Sequence, residues 1–87
     1  MKAVITIVGK DRVGILATAT ARIAESNANI MEVSQTILDE YFTTIIVVDI
    51  DNMNIDLPDL AENMREDLPD MEISVMHEDT FNAMHRV

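Results

Sequence analysis

The stretch Ala3-Val4-Ile5-Thr6-Ile7-Val8-Gly9-Lys10-Asp11-Arg12-Val13-Gly14-Ile15-Leu16 holds the only two glycines of an 87-residue chain and changes its apolar period midway. Up to Val8, Ala3, Ile5 and Ile7 alternate with Val4, Thr6 and Val8 in a β-branched run that predicts a strand apolar on both faces, central in a sheet. From Ile15 the apolar positions Ile15, Leu16, Ala19 and Ile23 recur at three and four residues, with Thr18, Arg22 and Glu25 opposite, which predicts an amphipathic helix. A strand-to-helix joint leaves unpaired backbone N–H groups at the helix start, and such groups hold carboxylates or phosphates where the loop lets a ligand approach. The joint therefore points to a small-molecule binding module.

Working outward, Asn27 and Asn29 are expected to stop the first helix, since asparagine tolerates the left-handed turn that closes helices. Ile30 to Leu38 alternates again, with Met31, Val33 and Ile37 on one side and Glu32, Ser34 and Thr36 on the other, as in a half-buried strand. Asp39-Glu40 forms a polar corner before a second alternating run, Tyr41 to Ile50, so the two runs are expected to pair as a hairpin. Leu57, Leu60, Ala61, Met64 and Leu68 then keep helical spacing behind Asp56 as N-cap, with Pro58 in the first turn and Pro69 as the stop. Met71, Ile73 and Val75 alternate with Glu72, Ser74 and Met76 in a last strand. Residues 79–87 form a tail too short to assign, although Phe81, Met84 and Val87 could make one apolar edge.

Strand, helix, strand, strand, helix, strand, with right-handed crossovers that put both helices on one sheet face, predicts an α+β fold. It is the ferredoxin-like βαββαβ two-layer sandwich, with an antiparallel four-stranded sheet in the order 4-1-3-2. The face away from the helices still carries Val4, Val8, Ile45 and Val47, and the second strand lies at an edge with unpaired backbone groups. A homodimer made by edge pairing, face packing or both is expected.

Sixteen acidic residues against six basic ones give a net charge of -10, which repels phosphate backbones and anionic membranes. Neither nucleic acid nor membrane is an expected partner, and the charge itself reads as a solubilising surface. Absence of cysteine removes disulfides and thiolate metal sites. The Ala3–Val8 stretch is too short for a signal peptide or a span, so the expected location is cytoplasmic.

Catalytic constellations are missing from the sequence. His77 and His85 are eight apart with Glu78 and Asp79 between them, a spacing that matches no metal motif, and they read as ordinary strand-end and tail histidines. The acidic pairs Asp39-Glu40, Glu66-Asp67 and Glu78-Asp79 are what so acidic a chain produces by chance, and adjacent side chains diverge. The glycine loop lacks both the dinucleotide and the P-loop patterns. It offers backbone donors near Val13 to Leu16 and an acceptor at Asp11, groups that suit a zwitterion with its carboxylate on the helix start and its ammonium on Asp11. The alternative is structural, with Asp11 capping the helix and Gly14 permitting close helix–sheet packing.

Gly9-Lys10-Asp11-Arg12-Val13-Gly14-Ile15-Leu16, followed at helix length by Asn27-Ala28-Asn29-Ile30, resembles the signature of the ACT domain, a small regulatory module of amino-acid metabolism. The resemblance spans residues 1–78, leaving 79–87 as a C-terminal tail that is similar to those of stand-alone ACT proteins related to the glycine-cleavage system transcriptional repressor. It implies no catalytic activity in the domain itself, and no cofactor or metal is expected. By resemblance, an amino-acid effector sits at a dimer interface, between the first loop of one copy and the start of the second strand of another. The implied contacts are Asp11, Arg12, Val13, Gly14 and Ile15 in the loop and Asn29 on the strand. Gly9 stands where the serine-sensing domain of phosphoglycerate dehydrogenase has a histidine, and contributes no side chain. The expected function is thus a non-enzymatic regulatory module that binds an amino acid or similar metabolite at a homodimer interface. The alternative is a protein–protein interaction module that docks a regulatory or transcriptional partner without a small ligand.

Overall fold

The computed structural model describes residues 1–85. Its elements are β1 (Lys2–Lys10), α1 (Ile15–Glu25), β2 (Asn29–Leu38), β3 (Tyr41–Asp49), α2 (Leu57–Asp67), β4 (Glu72–His77) and α3 (Glu78–Met84). The sheet order is β2-β3-β1-β4 with every neighbouring pair antiparallel, the expected order read from the other edge. Both long helices lie on one face, as the right-handed crossovers require.

β1 is central for the reason visible in its composition. Ala3, Ile5 and Ile7 are buried on one face and Val4 on the other, so the strand is covered on the helix side and, at Val4, on the opposite side as well. Ala3, Ile5 and Ile7 share a face with Ile46 and Val48 of β3 and Ile73 of β4, and meet Ile15, Ala19 and Ile23 of α1 and Leu60 and Met64 of α2. Each of the larger side chains among them, isoleucine, valine, leucine and methionine, contributes roughly 1.5–3 kcal/mol by leaving water. Thr44, the buried polar residue among them, donates its hydroxyl to the Ser34 carbonyl at 3.1 Å, so its burial leaves no orphaned group.

The helix ends follow their sequence signals. Asp56 accepts from the Asp59 N–H at 3.0 Å as N-cap of α2. Of the two asparagines expected to stop α1, Asn27 alone takes the left-handed turn, with φ 60°, while Asn29 already belongs to β2. Asn27 N–H bonds to Ala24 O at 3.0 Å and Ala28 N–H to Ile23 O at 3.3 Å, the double bond of a Schellman closure. Asp39 turns the β2–β3 hairpin with φ 61°.

Two expectations are corrected. β2 is not half-buried: Met31, Val33 and Ile37 are 52%, 42% and 55% exposed, because the core that α1 and α2 share with the sheet is built from β1, β3 and β4, and of this edge strand only Ile30 packs against it. Conversely, Val4 on the sheet face away from α1 and α2 is buried. The tail folds back as α3 against β1 and β4, which accounts for that cover. Ile45 and Val47 stay half-buried and Val8 is exposed, as expected for the uncovered remainder. Phe81 is half-buried and Met84 exposed; Val87, read with them as an apolar edge, lies outside the described residues.

α1 and α2 are clamped by Arg22, whose Nε and Nη2 donate to Asp67 Oδ2 and Oδ1 at 2.7 and 2.9 Å. The guanidinium holds the Asp67 carboxyl below its ordinary value of 3.8, so the pair's contribution to stability is complete above that value and is lost as pH falls below it. Arg22→Gln therefore removes part of the acid-side loss of stability. Urea unfolding at pH 7 and again below pH 4 is expected to give a smaller difference for the variant than for the natural chain.

Candidate functional site

The loop after β1 is held at both ends of its span. Asp11 N–H donates to the Glu40 carbonyl at 2.8 Å, tying the loop to the β2–β3 hairpin tip. Arg12 grips the turn before β4, with Nε to Asp70 Oδ2 at 2.6 Å and Nη2 to Asp70 Oδ1 at 2.9 Å, while its Nη1 donates to the Val13 carbonyl at 3.1 Å. The two planar groups meet as a fork on a fork. These hydrogen bonds, helped by the neighbouring charge, push the Arg12 guanidinium up and the Asp70 carboxyl below its ordinary value.

Gly14 is the N-cap of α1, with φ 90° and ψ 0°, and no side chain caps the helix. Asp11 is therefore not a capping residue here. A Cβ at Gly14 would meet nothing within 4 Å, so close helix–sheet packing does not explain this glycine either. Its left-handed backbone does. The space in front of it is open, and the adjoining Val13 side chain is 96% exposed. Ile15, by contrast, is a core residue, so its part in any contact is confined to its backbone. Among the described residues no hydrogen bond or ion pair engages the Asp11 carboxylate.

Gly9 has a different reason. A Cβ there would lie 2.5 Å from Met71 Sδ and 3.2 Å from the Asp70 carbonyl, so the α2–β4 turn occupies the space a side chain would take. A side chain at this position would have to push the Met71 thioether aside and crowd the Asp70 carbonyl.

Asn29 lies far from this loop within one chain. It pairs with Asp49, which pairs with Lys2, whereas the loop leaves the other end of β1 at Lys10, beside Tyr41. Eight strand positions separate the two levels, about 26 Å at a strand's rise. Asn29 is exposed and donates Nδ2–H to Met31 Sδ at 3.4 Å, next to a β-bulge between Ile30 and Glu32. The five loop residues are thus brought together by the fold, and the sixth is not.

Asp70 and Glu40 touch the loop and Met71 touches Gly9 just before it, and none of the three is expected there from sequence. Arg12 and Asp70 are 58 residues apart, and only the strand order that sets β4 beside β1 joins them. His85 stacks on Phe81 with centroids 4.2 Å apart and shares a 2.8 Å bond between Nδ1 and the Phe81 carbonyl, an i, i+4 contact within the tail. Among the described residues no group of three or more potential ligands gathers as a metal site. A broad open hollow of about 660 Å³ lined by Met1, Lys2, His77, Glu78, Asp79 and Thr80 sits at the opposite end of β1 from the loop, remote from the glycine joint. No helix of the described residues is long and apolar enough to cross a membrane.

Comparison with known proteins gives the class. Residues 2–78 match the profile of the ACT domain. The chain is 49% identical to a UPF0237 protein of Clostridium perfringens, with 100% of both chains covered. It is 39% identical to an ACT domain protein from Streptococcus pneumoniae, with 98% of each chain covered and a TM-score of 0.79. A putative glycine cleavage system transcriptional repressor shares the fold at a TM-score of 0.71 and 19% identity, covering 85% of this chain and 44% of that one. The chain belongs to the ACT-domain family, which consists of regulatory modules that bind small ligands.

Gly14→Ala forces a Cβ onto a left-handed backbone and is expected to cost about 1–2 kcal/mol in chemical unfolding. An unchanged midpoint would show that the loop relaxes at no cost.

Proposed function

We propose that the chain is a non-enzymatic, cytoplasmic regulatory module that binds an amino acid or similar small metabolite between two copies of itself. The observation that carries this reading is the division of the candidate residues. Loop and Asn29 lie at opposite ends of one sheet, and an antiparallel two-fold pairing of β2 edges would set the start of one β2 beside the end of the other.

Edge strands are ordinarily short or charged, which discourages pairing. β2 is ten residues long and carries one charge, Glu32, in a chain with sixteen acids. Pairing that keeps both helix layers on one side puts residues of the same face opposite each other. A two-fold through Gln35 sets Val33 against the partner's Ile37, and keeps Glu32 away from the partner's Glu32. It also carries the partner's Asn29 about two strand positions, roughly 7 Å, past Tyr41 and the hairpin tip, to the height of the loop that follows Lys10, where the Glu40 carbonyl holds Asp11. Ligand binding then favours one dimer arrangement over others by its differential affinity, which is how such a module transmits a signal.

Sedimentation equilibrium is expected to give twice the 9.8 kDa chain mass, and Val33→Glu to return it to one chain. Thermal-shift screening against the amino acids is expected to find at least one that stabilises the dimer, with the gain lost in Asp11→Ala and in Asn29→Ala. An intact dimer that no amino acid stabilises, yet which captures a protein partner regardless of metabolite, would favour the interaction-module reading instead.

A further inference from the structure

We propose that Arg12 is the carboxylate receptor of the loop and that Asp70 is its built-in competitor, an internal carboxylate which an incoming ligand must displace. This rests on the binding-loop reading of residues 11–14 and gives that site its ligand chemistry and its threshold.

Asp70 meets Arg12 with both oxygens on two guanidinium N–H groups, at 2.6 and 2.9 Å, the geometry a free carboxylate adopts on arginine. The side chains are 41% and 47% exposed, so water and small ions reach the pair and its two halves exchange partners at little cost. The other guanidinium–carboxylate fork, Arg22–Asp67, has the same chemistry but is only 26% exposed on each side and sits between two helices. The Arg12 fork lies two residues from Gly14, in front of which the space is open, whereas the hollow beside Arg22 is lined by Glu25, whose carboxylate already faces Arg22 at 3.9 Å.

Opening the fork leaves the fold in place. The α2–β4 turn is seated against β1 by Met71 Sδ and the Asp70 carbonyl over Gly9, contacts that do not involve the Asp70 carboxylate. Asp70 is then a tethered rival at an effective concentration of order millimolar or higher. A simple carboxylate competes poorly against it.

The test uses the Arg12 Nε–H resonance of the whole chain while acetate replaces chloride at constant ionic strength. Acetate is expected to bind Asp70→Asn about three- to sixfold more tightly than the natural chain, the factor set by releasing an exposed ion pair. Glu72→Gln removes an equal charge nearby and is expected to leave acetate affinity unchanged, while Asp70→Asn with Arg12→Gln abolishes binding. No gain in Asp70→Asn, an equal gain in Glu72→Gln, or a gain that survives loss of Arg12 would overturn the proposal. Acetate reports on Arg12 alone. Tighter acetate binding in Asp70→Asn without stabilisation by any amino acid would therefore defeat the amino-acid reading and leave the competitor standing.

Discussion

The burial of β1 on both faces is the constraint on which everything else depends. Ala3, Ile5 and Ile7 anchor the helix layer, and Val4 anchors the opposite face under α3. A strand so apolar cannot lie at an edge, and with β3 and β4 as its two neighbours β2 is left outermost. The same placement carries the end of β1, and with it the glycine loop, to the meeting point of the β2–β3 hairpin and the α2–β4 turn.

Three of the six basic residues serve this arrangement. Arg12 holds Asp70, Arg22 holds Asp67, and Arg65 donates to the Ile73 carbonyl at 3.0 Å. All three fasten the segment from the end of α2 to β4, which would otherwise be joined to the rest through β1 and the core alone. With so few cations engaged internally, the remaining acids lie unneutralised on the surface, in keeping with the net charge of -10.

Periodicity made the framework legible. The strands, both long helices, the Asp56 cap, the hairpin at Asp39-Glu40 and the sheet order all follow from local pattern plus the handedness of crossovers. What pattern did not reveal depends on distance in sequence. Alternation in β2 shows an apolar face but not that the core reaches only Ile30 of it, so Val33 and Ile37 read as buried and are exposed. The cover over Val4 comes from seven helical residues in a tail too short for a periodic signal. Of the candidate site, the loop residues were legible because two glycines mark them. Asp70 was not, since no spacing links it to Arg12, and the reason for Gly9 emerged only with Met71 packed against it.

The division of the site between two copies is the central claim, and mixing variants tests it most directly. Asp11→Ala and Asn29→Ala chains, each unable to bind alone, are unfolded together, refolded and titrated calorimetrically with an amino acid that stabilises the natural dimer. Random pairing makes half of the dimers mixed, each with one site carrying both substitutions and one carrying neither, so about one site in four should bind with natural affinity. Binding absent from the mixture, as from each variant alone, would mean that Asp11 and Asn29 do not meet across a two-fold.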